Sequence, residues 1–216
     1  MERKSPAGKR RRSYDARGRR ALAARTRSGV LDAAERLFLG HGYATATIGA
    51  IAEAAAVSPE TIYKAFRGKP GLVRAIRDRR LEGKGPLPAE SRSDRTRRAE
   101  TDPRKLVAEW GRLTAEVAPM VSPILLLVRD AAAADPRMAT LQSEMDADRL
   151  RRMTLNARHL HRAGHLRDRI SLAAAADILW TYSSPELYEL LVLKRGWSPR
   201  KYGTFVGDSI AAALLT

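Results

Sequence analysis

The chain has 216 residues and 44% hydrophobic content, enough for two modest domains with real cores, and this excludes a disordered protein. It has no cysteine, which excludes disulfides, thiolate catalysis and cysteine zinc sites and fits a reducing cytosol. The net charge is +16, and residues 1–27 alone carry +9 (11 Lys/Arg minus 2 acids), so more than half of the excess lies in the N-terminal tail.

That tail, MERKSPAGKRRRSYDARGRRALAARTR, shows no apolar periodicity before Leu22 and is interrupted by Gly8 and Gly18. It reads as a flexible basic arm over residues 1–27. It is either a solvated tail or a set of contacts for phosphates and a minor groove, with Arg10, Arg11, Arg12, Arg17, Arg19 and Arg20 as the candidates. The next stretch, RTRSGVLDAAERLFLGHGY, sets Val30, Leu31, Ala34, Leu37 and Phe38 on one helical face and ends at Gly42, a helix terminator.

Residues 47–69, TIGAIAEAAAVSPETIYKAFRGK, read as two short helices and a tight turn. Thr47 stands as N-cap before Ile48, Ile51 and Ala52, and the first helix runs to about Ala55. Ser58 is a second N-cap, and Pro59 occupies the first helical position, where its missing N–H costs nothing. Ile62 and Phe66 face inward at i and i+4, leaving Ser58, Pro59, Thr61, Tyr63 and Lys64 outside. Such a helix suits the DNA major groove, although an ordinary αα-hairpin has the same pattern. KPGLVRAI then opens a fourth helix through Leu72, Val73 and Ile76.

The run AAERLFLGHGYATATIGAIAEAAAVSPETIYKAFRGKPGLV resembles the DNA-binding domain of the TetR family of transcriptional regulators. The likeness rests on Phe38, Gly42, Ile51-Ala52, Val57-Ser58, Thr61-Ile62-Tyr63, Phe66 and Lys69, and it covers about the first third of the chain. It implies a homodimer on a double-stranded DNA operator. Thr47, Ser58, Tyr63 and Lys69 would hold phosphates, while Pro59, Glu60, Thr61 and Lys64 would approach bases. Pro59-Glu60 and Ala65 depart from the family's usual residues, so the operator cannot be carried over by analogy. The arm leads directly into this domain, which favours a DNA role for Arg19, Arg20 and their neighbours over an inert tail.

No segment alternates with the two-residue period of strands, so the class is all-α: a helix-turn-helix domain over residues 28–82, a Gly-, Pro-, Ser- and charge-rich linker over 83–103, and a helical bundle over 104–216. In the bundle, Leu106, Trp110, Leu113 and Val117 define an amphipathic helix expected to stop near Pro119. SPILLLVRDAAAA follows as a central apolar segment. A long helix runs from Asp135-Pro136 to Gly164, another from Ser171 to Gly196 bends at Ser183-Ser184-Pro185, and a last one opens at Ser198-Pro199. The longest apolar run, Pro123 to Val128, is far short of a membrane span, and no signal-peptide core follows the basic start, so a cytoplasmic protein is expected.

Chemistry is sparse. His161 and His165 stand four apart, with His159 nearby, but Gly164 ends their helix and no acidic triad accompanies them, so no metal and no cofactor are expected. No G-x-S-x-G elbow, H-E-x-x-H pair or phosphate-cradling glycine loop is present, and no enzymatic activity is expected. Trp110, Leu113, Met120, Met145, Met153 and Trp180 would either fill a core or line a cavity. The resemblance favours a cavity for a small apolar or amphipathic effector. Ile178, Leu179, Leu187, Leu191, Val206, Ile210 and Leu214 are the expected dimer interface. Together these readings give a homodimeric, sequence-specific repressor released from its operator by a small molecule, with no membrane partner. The alternatives are a ligand-independent regulator or activator, a basic architectural DNA-binding protein, and an enzyme on the same fold.

Overall fold

The computed structural model describes the backbone of residues 8–216 and the side chains of residues 17–216; residues 1–7 of the expected arm, and the side chains of Arg10, Arg11 and Arg12, lie outside the described residues. Ten α-helices and one π-helical turn make up the described residues, with a single isolated bridge, Leu166 to Leu215, as the sole extended pairing among them. The chain divides into a unit ending at Leu72 and a unit running from Val73 to Thr216.

In the N-terminal unit, α1 (Gly8–His41) begins inside the stretch expected as a flexible arm. Ala and Arg are strong helix formers, and Gly18 subtracts only about 1 kcal/mol from the helix. α1 stops at Gly42, whose φ of +82° is the left-handed conformation that ends helices. α2 (Ile48–Ala54) starts on Thr47, whose Oγ1 accepts from Ala50 N at 3.1 Å. α3 (Pro59–Phe66) starts on Ser58, whose Oγ accepts from Thr61 N at 3.3 Å. The turn between them sets Ala56 at φ +51°, a left-handed conformation that costs a non-glycine residue roughly 1–2 kcal/mol. Phe38, Ile51, Ile62 and Leu72 are fully buried and form the core of the unit, with Tyr43 stacked on Phe38 at 5.7 Å. A left-handed Arg67 and Gly68 then turn the chain into α4 (Lys69–Leu81). At Gly71 a Cβ would overlap the Phe66 carbonyl, so this corner closes only around glycine.

The C-terminal unit takes the rest of α4 and then α5 (Ala89–Ala99), α6 (Pro103–Ala132), α7 (Pro136–Arg162), α8 (Leu172–Tyr182), α9 (Pro185–Tyr188) and α10 (Pro199–Leu214). A π-helical turn, Glu189–Lys194, extends α9. Four of these helices open on a capping residue followed by proline: Asp102-Pro103, Asp135-Pro136, Ser184-Pro185 and Ser198-Pro199. The core lies along α6, α8 and α10, around Leu106, Val107, Leu179, Tyr202 and Leu214. α6 and α10 approach until their backbones touch: a Cβ at Gly111 would stand 2.5 Å from Gly203 O and 3.2 Å from Gly207 Cα.

Three expectations for this unit are corrected. First, α6 does not stop at Pro119 but runs through Pro119 and Pro123 to Ala132. Each internal proline costs about 3 kcal/mol, yet Val121, Ile124, Leu126 and Val128 beyond it are buried and offset this loss. α6 is long and apolar enough to cross a membrane by length and composition, but its apolar residues supply the core of this unit.

Second, the expected linker holds α5, which has no apolar stripe and buries only Ala89 and Ser93. Ion pairs hold it instead: Arg92 bonds Glu116 of α6 at 2.6 and 2.9 Å, and Arg152 of α7 reaches Asp94 at 2.7 Å. Glu116 also accepts from Lys84 N at 2.6 Å. The Arg92 bonds, ahead of the backbone amide, hold the Glu116 carboxyl below the usual carboxylate range. Stability from this group is therefore complete above the unfolded value of about 4.3 and is lost as pH falls through the lower folded value. Glu116→Gln is expected to speed amide hydrogen exchange over residues 84–99 at neutral pH and to abolish any further loosening of that segment between about pH 5 and 3. Identical exchange in wild type and variant would show that the pair does not anchor α5.

Third, Leu179, Val206, Ile210 and Leu214 are not available to a second subunit, because all four are buried inside this chain's own core. Ile178, Leu187 and Leu191 are partly buried against the same core. Periodicity identified the buried stripe of α10, but α6 covers it.

Candidate nucleic-acid interface and internal cavity

α3 presents Pro59, Glu60, Thr61, Tyr63 and Lys64 to solvent while Ile62 and Phe66 fasten it to the core. The expected reading face is therefore one continuous exposed surface, with Tyr63 57% exposed. Ser58 and Thr61 hydroxyls are 3.2 Å apart, so the cap and the first reading position are coupled. The Ser58 hydroxyl also holds the Glu60 carboxyl below its usual range, which keeps an ionised acceptor on this face. Thr47 is exposed at the start of α2, and Arg19 and Arg20 are exposed on α1.

Lys69, expected at a phosphate, also ties the chain to itself. Its ammonium donates to Tyr43 O and to Ala44 O, the latter at 3.3 Å, and lies 4.2 Å from the centre of the Tyr43 ring. It thereby holds the loop after α1 against the start of α4. A second unanticipated tie is the Arg27 guanidinium 4.4 Å above the Phe66 ring, which joins α1 to α3.

In the C-terminal unit a cavity of about 790 Å³ lies among the second half of α4, α6, α7, α8 and α10. Of the expected lining residues, Trp110, Leu113, Met145 and Met153 do line it, whereas Met120 and Trp180 do not. Trp110, Leu113, Val117 and Val121 line it along one stripe of α6. Trp180 lies under the Arg149 guanidinium at 4.4 Å, and Arg149 also donates to Trp180 O at 2.6 Å and to Ser183 Oγ at 3.2 Å.

Periodicity missed Asn156, Tyr182 and Tyr202 on the lining. Asn156 had a legible signal as a lone amide in the apolar row of α7, between Met153 and Leu160. Tyr202 packs edge-on against Tyr188 at 5.4 Å, and burial pushes both phenols up. Val206 and Ile210, expected at a subunit interface, face this cavity. Away from it, His159 is half-buried and its imidazole is pushed down, first by burial and then by Arg97 and His165, so it is neutral at pH 7.

Residues 30–76 match the family model for bacterial regulatory proteins of the tetR family. Over 69 residues the chain is 36% identical to YvkB, an uncharacterised HTH-type transcriptional regulator of Bacillus subtilis; the match takes in 32% of this chain and 36% of that protein. Solved structures share the fold along most of the chain. SmeT in complex with triclosan superposes with a TM-score of 0.68 at 24% identity, over 88% of this chain and 92% of that one. A second SmeT structure, the repressor of the Stenotrophomonas maltophilia multidrug efflux pump SmeDEF, gives 0.60 at 21% identity over 88% and 90%. The fatty acid degradation regulator FadR of Bacillus halodurans gives 0.66 at 17% identity over 86% and 94%. Residues 30–76 thus carry a helix-turn-helix of the kind found in bacterial regulatory proteins of the tetR family, and the all-helical fold is shared with these solved structures over most of the chain.

Proposed function

We propose that the chain is a cytoplasmic, homodimeric transcriptional repressor that reads a palindromic operator with α3 and leaves it when a small molecule fills the cavity. The observation that carries this reading is α3 itself, capped by Ser58, anchored by Ile62 and Phe66, and otherwise exposed. A helix of 8 residues makes too few base contacts for useful discrimination, so two copies about 34 Å apart, one DNA turn, are needed. The surface we assign to the second copy is the π-helical turn, where Leu190 and Leu193 are 53% and 55% exposed beside the partly buried Leu187 and Leu191.

An effector can shift the protein off DNA only by binding the DNA-incompetent arrangement more tightly. α4 is the element suited to carry that difference, because it starts at Lys69, just past α3, and its residues Arg77, Asp78 and Leu81 line the cavity. The triclosan complex of SmeT supports a small apolar effector by likeness of fold.

Selection of bound fragments from random DNA by the full-length protein tests the reading. A short palindrome with half-sites one turn apart is expected, and fragments without shared symmetry would overturn it in favour of architectural binding. On the selected site, Thr61→Ala and Lys64→Ala are expected to relax discrimination at one base position, each contact contributing about 1–3 kcal/mol. Tyr63→Ala is expected to weaken all sequences alike. Unaltered base preferences in Lys64→Ala would remove it from the reading face.

A further inference from the structure

Between its helices the C-terminal unit pairs its arginines: Arg77 with Asp148 at 2.9 Å, Arg129 with Glu189 at 2.8 Å, Arg149 with Asp146 at 3.1 Å and Arg152 with Asp94 at 2.7 Å. At one end of the bundle a second set is left over. Arg95 and Arg98 of α5, Arg158 and Arg162 of α7, and Arg167 and Arg169 of the turn after α7 are all exposed, and none has an ion pair among the described residues.

The chain gathers these segments in one place. α5 and α7 are tied by Arg152 to Asp94, and further on by Arg97 beside His159, whose imidazole is pushed down by burial and then by that guanidinium, so their C-terminal ends lie together. The turn after α7 is fixed to the end of α10, where Arg167 N donates to Leu214 O at 2.9 Å and its guanidinium to Leu215 O at 3.1 Å. Little negative charge answers them. Asp168 is exposed, whereas Glu100 accepts from Asp102 N and Asp102 from Arg104 N.

Cations at the end of a helix favour its dipole, and Arg167 serves α10 in this way. The other five donate to no carbonyl among the described residues, and like charges crowded within a Debye length of about 10 Å repel one another. A polyanion relieves that repulsion. Two features select which one. All six cations are arginine, whose planar fork grips phosphate through paired hydrogen bonds. Residues 95–105 and 158–170 contain no Phe, Trp or Tyr and no exposed large apolar side chain, so they offer neither a stacking platform for single strands nor an anchor for a bilayer.

We infer that this end of the C-terminal unit binds the phosphate backbone of double-stranded DNA, as a second DNA surface in addition to α3. Phosphate contacts carry no base information, so the surface is indifferent to sequence.

Arginine footprinting of the full-length protein with phenylglyoxal, read by mass spectrometry at low salt, tests it. With an excess of a mixed-sequence duplex of about 30 base pairs, Arg98, Arg158 and Arg162 are expected to react about fivefold more slowly or less, and the protection to fade as salt rises. Arg112 and Arg137, exposed elsewhere on α6 and α7, are expected to keep their rates. Protein held on a bead-bound duplex is expected to capture a second, labelled duplex. The variant Arg98→Gln, Arg158→Gln, Arg162→Gln is expected to lose this second capture, and the charge-matched variant Arg112→Gln, Arg137→Gln, Arg200→Gln to keep it. No protection, equal protection at Arg112 and Arg137, or equal second capture by the two variants each overturn the inference. So does protection by polyglutamate or by phosphatidylglycerol vesicles that equals protection by the duplex. The operator reading fails separately, through absence of a selected palindrome, and that outcome leaves this protection in place because the probe duplex carries no selected site.

Discussion

Gly203→Ala is expected to lower the melting temperature by about 5–10 °C, through an overpacking loss of about 2–3 kcal/mol in a chain of this size. A Cβ at position 203 would lie 2.6 Å from Ala115 Cβ and closer still to Gly111 O, which is helix backbone and cannot rotate away. One turn on, Gly207 offers the internal control. A Cβ there would meet Val107 O at 3.4 Å and Ala108 Cα at 3.6 Å, ordinary contact distances. Gly207→Ala is therefore expected to melt at or slightly above the wild-type temperature, since alanine gains up to about 1 kcal/mol of helix propensity. Circular dichroism melts of the two variants side by side decide the point, and equal melting temperatures would mean that α6 and α10 are not in backbone contact.

Removing residues 1–24 takes away nine of the eleven basic residues that precede Ser28 and is expected to flatten the salt dependence of operator binding by several units. Each phosphate neutralised on B-DNA contributes about 0.9 to the slope of log K against log salt, so several lost contacts amount to orders of magnitude in affinity at low salt. Operators flanked by A-tracts are expected to lose more than G·C-rich ones, because arginine favours a narrow minor groove. Dimerisation is expected to stay intact. Titrations of both proteins at several salt concentrations measure this, and equal slopes would eliminate the arm as a DNA-binding element.

What could be read in the sequence was whatever is decided locally. The caps at Thr47 and Ser58, Pro59 at the start of α3, the stop at Gly42 and the inward pair Ile62 and Phe66 each depend on residues within one turn, and all stand where the pattern placed them. α5 was illegible because its partners, Glu116 and Arg152, lie far along the chain and leave no periodicity in SRSDRTRRA. The stripe of α10 was legible as a buried face, but periodicity does not say against what a face is buried. Its true partner was signalled more quietly, by Gly203 and Gly207 one turn apart opposite Gly111. Part of the cavity lining was expected, in Trp110, Leu113, Met145 and Met153. Asn156 was not, since an amide among apolar neighbours reads as an exception until the space beside it is seen.

Because α1 is unbroken from Gly8 to His41 and is pinned to α3 where Arg27 covers Phe66, the basic segment is a rod rather than a tether. A tether samples every distance within its contour, whereas a rod has one reach. The helical backbone from Gly8 to Arg27 is about 30 Å long at about 1.5 Å per residue. Laid against a duplex, that length corresponds to about nine base pairs at about 3.4 Å each. The flanking sequence thus acquires a fixed phase relative to the half-site: a favourable A-tract moved by half a helical turn would lie on the wrong side of the duplex for a stiff arm, but would remain within reach of a flexible one.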